Sequence, residues 1–98
     1  MGTDWKNRIV GQGEEDPRKI AANPRNWRIH PLAQGKGLEG VLGEIGWIAP
    51  VTINRTTGYC LDGHLRVALA VKRGAKSVPV QYVELSEAEE ALALATLD

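Results

Sequence analysis

The stretch Tyr59-Cys60-Leu61-Asp62-Gly63-His64-Leu65-Arg66 constrains this chain more than any other. A short run suited to a strand gives way, through Asp-Gly, to a segment with helical spacing. Leu65, Ala68 and Leu69 mark one helical face and Val67, Ala70 and Val71 another. A helix that is apolar nearly all round is buried on most sides. The junction therefore predicts a strand feeding a helix within an α/β layer, the place where open sheets put their ligand sites.

The rest of the chain is long enough for one such layer. Its 98 residues can enclose one core, and 43% hydrophobic with 24% charged residues describes an ordinary folded domain. With three Trp, two Tyr and no Phe, aliphatic side chains must fill most of that core. Twelve cations balance twelve anions, and the pI is about 6.7. This lacks the basic excess by which nucleic-acid-binding domains neutralise phosphate. The charges are unevenly placed, with Arg18, Lys19, Arg25, Arg28 and His30 early and Glu84, Glu87, Glu89, Glu90 and Asp98 late. The single cysteine, Cys60, excludes an intrachain disulfide and fits a reducing compartment. No stretch is long and apolar enough to span a membrane, and the first residues carry no apolar signal region, so a cytoplasmic location is expected.

In chain order, residues 1–15 read as a flexible arm, punctuated by Gly2, Gly11 and Gly13, with at most a short edge strand at Ile9-Val10. The domain proper is expected over 16–98. Asp16-Pro17 suits a helix N-cap followed by the first helical position, and Asn23-Pro24 ends that helix near Ala22. Residues 23–31 combine two prolines, two arginines, Trp27 and His30 without a regular period, which predicts a structured loop. One reading of it is a connector pinned by Trp27 under solvated arginines. The other is that Arg25, Arg28 and His30 present donors to an anion.

Leu38, Val41, Leu42 and Ile45 fall on one helical face. Glycines interrupt that helix, and Gly46 suits its left-handed C-cap. Val51-Thr52-Ile53 reads as a strand after Pro50. Arg55 to Gly58 form a turn and Tyr59 to Leu61 a second strand, which together make a hairpin. Lys72, Arg73 and Gly74 close the helix that follows. Val78 to Val83 read as a third strand, where Pro79 favours an edge or the strand's start. Ser86 with Glu89 forms a capping box for a last helix carrying Leu92, Leu94 and Leu97. That helix runs to the chain end with a broad Ala/Leu surface, as it would in a longer parent protein. The fold class is α+β or α/β: one small domain with a short mixed sheet, a hairpin and about four helices.

A helix starting near Gly63 leaves its first N–H groups unpaired and its positive dipole end exposed, which suits an anion. Gly63 lets a ligand approach the backbone, and His64 and Arg66 add donors in the same turn. Asp62 beside a phosphate is either the helix N-cap or a ligand to a magnesium ion that bridges to phosphate. His64 either bonds a nearby backbone group or faces the ligand. Cys60, within an apolar strand, reads as inert core.

Several motifs agree in order: Asn-Pro-x-Asn-x-Arg-x-His from Asn23, Gly-Trp-Ile-x-Pro-Val from Gly46 with Asn54, Asp-Gly-His-Leu-Arg from Asp62, and Val-Pro-Val-x-Tyr-Val from Val78. Together they resemble the ParB/sulfiredoxin superfamily over about residues 16–98. They look most like the ParB-like domains of phage and plasmid genomes, including those attached to DNA methyltransferases. The resemblance implies a nucleotide-binding module with phosphates at Gly63, His64 and Arg66, supported by Arg25, Arg28 or His30. It also implies CTP or ATP with magnesium as the ligand, service to a DNA-processing, modification or partition system through a partner or further domain, and a homodimer as one assembly.

Chromosome-partitioning ParB proteins carry Gly-Glu-Arg-Arg at this place, the glutamate assisting CTP hydrolysis; here His64 and Leu65 stand there instead. The Gly-Cys-His-Arg of sulfiredoxins is also absent. The Asp-Gly-His-x-Arg form looks closer to the superfamily's free-serine kinases. That keeps a phosphotransferase or nucleotidase open, with Asp62 or His64 as acid/base. A non-catalytic DNA-recruitment domain is the third expectation. No carboxylate cluster supports a nuclease.

Overall fold

The computed structural model describes residues 5–25, Gly37 and 40–96. Four strands form one mixed sheet: β1 (Ile9–Glu15), β2 (Val51–Asn54), β3 (Cys60–Asp62) and β4 (Val78–Val83), in the order β1-β4-β2-β3. β2 and β3 are the expected hairpin, antiparallel, with Gly58 in its turn at φ 79°. β4 returns parallel to β2 through α1 (His64–Lys72), and β1 is antiparallel to β4. A second helix, α2 (Glu87–Thr96), closes the described chain. This is the small mixed α/β domain the sequence predicted.

Alternation puts Val51, Ile53, Cys60, Val78 and Val80 on one sheet face. There they form the core with Ala70 of α1, flanked by Ile20, Trp47 and Val67. The β-branched residues of β2 and β4 fit this pleated, fully covered surface. Cys60 is 1% exposed, and burial pushes its thiol up to about 12, as inert core requires.

Several sequence expectations are corrected. Residues 9–15 are no arm but a seven-residue strand, because β4 offers an open ladder and Arg8 is tied down beyond it. Arg8 reaches Glu89 with both terminal nitrogens, at 3.0 and 2.9 Å, and the Glu84 carbonyl at 2.8 Å. After Asp16 only a 3-10 turn forms, Pro17–Lys19, although Asp16 does cap it by accepting from the Arg18 N–H at 3.0 Å. Residues 40–44 are helical and Gly46 ends them at φ 95°, but Val41 and Ile45 are exposed. Leu38 lies outside the described residues. In α1 only Ala70 is buried and Val71 is 41% exposed, so this helix covers one sheet face and is not enclosed. The regular helices number two among the described residues, beside the 3-10 turn and residues 40–44.

β4 is interior, and Pro79 sits at its start. The Arg55 N–H donates to the Val83 carbonyl at 2.8 Å, so positions 79, 81 and 83 bond toward β2 and positions 78, 80 and 82 toward β1. In that ladder an N–H at position 79 would serve the carbonyl of Ala49, and proline has none. The Ala49 carbonyl instead accepts from Arg66 Nη1 at 2.6 Å.

The capping box is formed as expected: the Glu89 N–H donates to Ser86 Oγ at 3.1 Å, and the Ser86 N–H to Glu89 Oε1 at 2.8 Å. Behind it lies a buried polar knot. Asn54, fully buried, donates through Nδ2 to the Leu85 carbonyl and to Glu90 Oε1, and accepts through Oδ1 from the Leu85 and Thr56 N–H groups. Thr57 Oγ1 also donates to Glu90 Oε1, at 2.6 Å. Every polar position of the Asn54 amide is used, which fixes α2 to the end of β2.

Candidate functional site: the start of helix α1

α1 begins where β3 ends, and its N-cap is Gly63 at φ 101°, ψ 19°. This corrects the reading of Asp62 as the cap: the cap makes no side-chain hydrogen bond. A Cβ at position 63 would stand 3.2 Å from Arg66 Nη2, 3.3 Å from Val51 Cγ2 and 3.4 Å from Val51 Cα. Glycine is needed here for the left-handed turn and for clearance against β2. The first intrahelical bond runs from the Val67 N–H to the Gly63 carbonyl at 2.9 Å. The N–H groups of His64, Leu65 and Arg66 thus precede the helical ladder, and with no side-chain cap they leave a patch of positive potential.

His64 lies partly buried at this opening. Its Nε2 accepts from the Asn23 N–H at 3.4 Å, which brings the segment after the 3-10 turn against the helix start. Accepting there requires an unprotonated Nε2. Asn23 is 3% exposed and accepts through Oδ1 from the Arg25 N–H at 2.9 Å, while its Nδ2 is buried with no hydrogen-bond partner among the described residues. A buried amide nitrogen without an acceptor is costly, and this one belongs to the residue that touches the helix start.

Arg66 points elsewhere. Its side chain, 16% exposed, spends Nη1 on the Ala49 carbonyl, stands 3.7 Å from Asp62 Oδ2 through Nη2, and lies 5.9 Å from the Trp47 ring centre. Asp62, with its side chain 45% exposed, is the half-open carboxylate of the site. Arg25 is exposed one turn from Asn23, and Arg28 and His30 lie outside the described residues.

The structure therefore brings together Gly63, His64 and Asp62, with Arg66 behind them. The sequence reading missed Asn23 as a site residue, although its Asn-Pro motif marked it. Among the described residues no three His, Cys, Asp or Glu side chains gather where they could hold a metal ion. Asp62 would bind magnesium only jointly with phosphate oxygens. No described helix is long and apolar enough to cross a membrane.

No family model matches the sequence, and no curated protein matches it closely enough to count as a relative. Solved structures do match. The C-terminally truncated chromosome-partitioning protein ParB from Caulobacter crescentus, complexed with CTP-gamma-S, superposes with a TM-score of 0.72 at 22% identity. A Pnob8-like ParB-N domain superposes with a TM-score of 0.69 at 18% identity. Both matches cover 87% of this chain, but only 51% and 34% of those proteins. The fold is that of a ParB N-terminal domain.

Proposed function

We propose that this domain binds a nucleoside triphosphate at the start of α1, with CTP the first candidate and ATP the second. The observation that carries the reading is the turn at Gly63 without a side-chain cap, where the N–H groups of His64, Leu65 and Arg66 precede the ladder beside the buried Nδ2 of Asn23, which has no hydrogen-bond partner among the described residues. Phosphate oxygens suit such a turn, since they accept several N–H bonds and meet the positive end of the helix dipole. The neighbour complexed with CTP-gamma-S supports the choice of nucleotide. Gly63 and His64 would face the phosphates, with Arg25, Arg28 and His30 as further donors from the preceding segment. Arg66 would hold the wall of the site from behind. Magnesium, where required, would be shared between Asp62 and the phosphates.

The module would serve a DNA-partition or DNA-modification system of the phage or plasmid type, reaching DNA through a partner or a further domain. Calorimetric titration with CTP, ATP, GTP and UTP, with and without magnesium, tests the binding. Heat with CTP that is lost in the folded variant Asn23→Leu supports the reading, and no heat with any of the four contradicts it.

Asp62, half exposed beside the cradle, supports a second reading as a phosphotransferase or nucleotidase. That reading expects product formation from a bound triphosphate, and Asp62→Asn then abolishes turnover while leaving binding intact.

A further inference from the structure

Beside β1 the sheet has an open edge and a cavity together. No described strand or bridge lies outside β1, and Gln12, Gly13 and Glu14 are exposed. Gly11, Gly13 and Glu15 pair with Tyr82, Val80 and Val78, the positions of β4 that bond toward β1, so the N–H and C=O groups of Gln12 and Glu14 face outward. This stretch lies wholly past the irregularity between Ile9 and Gly11. Val78 and Val80 point into the core, so Pro79, Gln12 and Glu14 share the opposite face. With Trp47, Ile48 and Pro50 they line a cavity of about 530 Å³. On the core face the Tyr82 ring reaches across Gly11 and Gly13, where a Cβ at either would stand 3.7 Å from it. The exposed Glu14 accepts from Ser77 Oγ at 3.0 Å; among the described residues Arg18 pairs with Asp16, and no cation pairs with Glu14.

We infer that this edge takes an extended basic segment of a partner protein as a further strand, antiparallel to β1, with cations opposite Gln12 and Glu14 and an apolar residue opposite Gly13. The open N–H and C=O groups call for an extended backbone, and in strand addition the alternate side chains set the specificity. Residues opposite Gln12 and Glu14 project on the face of the cavity. The long apolar stem of an arginine suits walls made by Trp47, Ile48 and the two prolines, and its head suits the carboxylate of Glu14. The residue opposite Gly13 projects on the other face, where the Tyr82 ring offers apolar cover across a position without a side chain. A second copy of β1 does not supply this partner, since Ile9 to Glu15 contain two acids and no cation. Gly63, His64 and Asn23 take no part, so the inference stands apart from nucleotide binding.

The test titrates the nucleotide-free chain with a capped heptapeptide of alternating valine and arginine, up to millimolar concentration, and follows amide hydrogen exchange by resonance. Saturable binding is expected to slow exchange at the Gln12 and Glu14 N–H groups, while the Gly13 N–H, already turned toward β4, changes little. The same peptide with glutamate for arginine, or with its arginine backbone nitrogens methylated, is expected to bind roughly tenfold more weakly or not at all. Gln12→Pro removes one outward N–H and leaves the β4 ladder whole, so it should weaken binding roughly fivefold, as the loss of one hydrogen bond does. Glu14→Lys, at an exposed side chain, should reverse the preference in favour of the glutamate peptide. Circular dichroism verifies that both variants are folded. No binding at millimolar concentration would overturn the inference, as would equal binding of the two charge forms or binding that leaves exchange at Gln12 and Glu14 unchanged.

Discussion

Arg66 Nη1 stands 2.6 Å from the carbonyl of Ala49, the one acceptor at the head of the β2–β4 ladder that Pro79 cannot serve. One side chain on α1 thereby repairs a gap between two strands, and the helix start is fixed relative to residues 47–50. Arg66→Ala should cost about 1.5–3 kcal/mol in denaturant unfolding, the range for a hydrogen bond to a charged group. Arg66→Lys, without the planar fork, should recover only part of it. Pro79→Val, which restores an N–H, should recover stability in the Arg66→Ala background. A loss that Pro79→Val leaves unchanged would show that the Ala49 carbonyl is not what Arg66 serves.

Gly63 should tolerate no side chain. Alanine at φ 101° carries the strain of the left-handed region, roughly 1–2 kcal/mol, and its Cβ would press on Val51. Thermal unfolding of Gly63→Ala should show that loss or more, whereas Gly43→Ala, where a Cβ meets nothing, should be neutral or stabilising.

The Asn54–Glu90–Thr57 knot should be more sensitive than its distance from the site suggests. Glu90→Ala leaves the buried Asn54 Nδ2 and Thr57 Oγ1 short of an acceptor, which should cost about 1–3 kcal/mol by chemical denaturation. Glu90→Gln keeps an acceptor oxygen and should cost less.

Glu89 ties β1 to α2 through Arg8 and caps the helix through Ser86. Its bonds to Arg8 first, and to the Ser86 N–H next, lower its pKa from an ordinary 4.5 to about 2. The folded value lies below the unfolded one, so the contribution is complete above the unfolded pKa and is lost as pH falls toward about 2. The melting temperature of Glu89→Gln should therefore lie below that of the native chain at neutral pH, and the two should converge near pH 2. A gap that persists unchanged at the acid end would contradict this assignment.

Where a local rule decides the conformation, the sequence was readable: the Ser86–Glu89 box, Gly58 and Gly46 at positive φ, the hairpin, and the helix start after Asp62 all follow from residue type and spacing. Where a distant partner decides, it was not. Ile9 to Glu15 looked like an arm because two glycines break its alternation, yet β4 orders it. Pro79 suggested an edge because the guanidinium that replaces its missing N–H comes from another element. Asp62 resembled an N-cap, but the left-handed Gly63 takes that position and Asp62 stands beside Arg66 instead. Asn23 and Glu90 are polar residues whose burial depends wholly on tertiary contacts, and nothing in their local pattern announces it.

The central claim is that the helix start at Gly63 receives triphosphate oxygens. The most direct measurement is the amide resonance map of a nitrogen-labelled chain during titration with CTP and magnesium. Saturable shifts concentrated at the N–H groups of His64, Leu65 and Arg66 and at the side-chain amide of Asn23 are predicted. A map in which these four positions stay unmoved, while the spectrum remains that of a folded protein, would contradict the account.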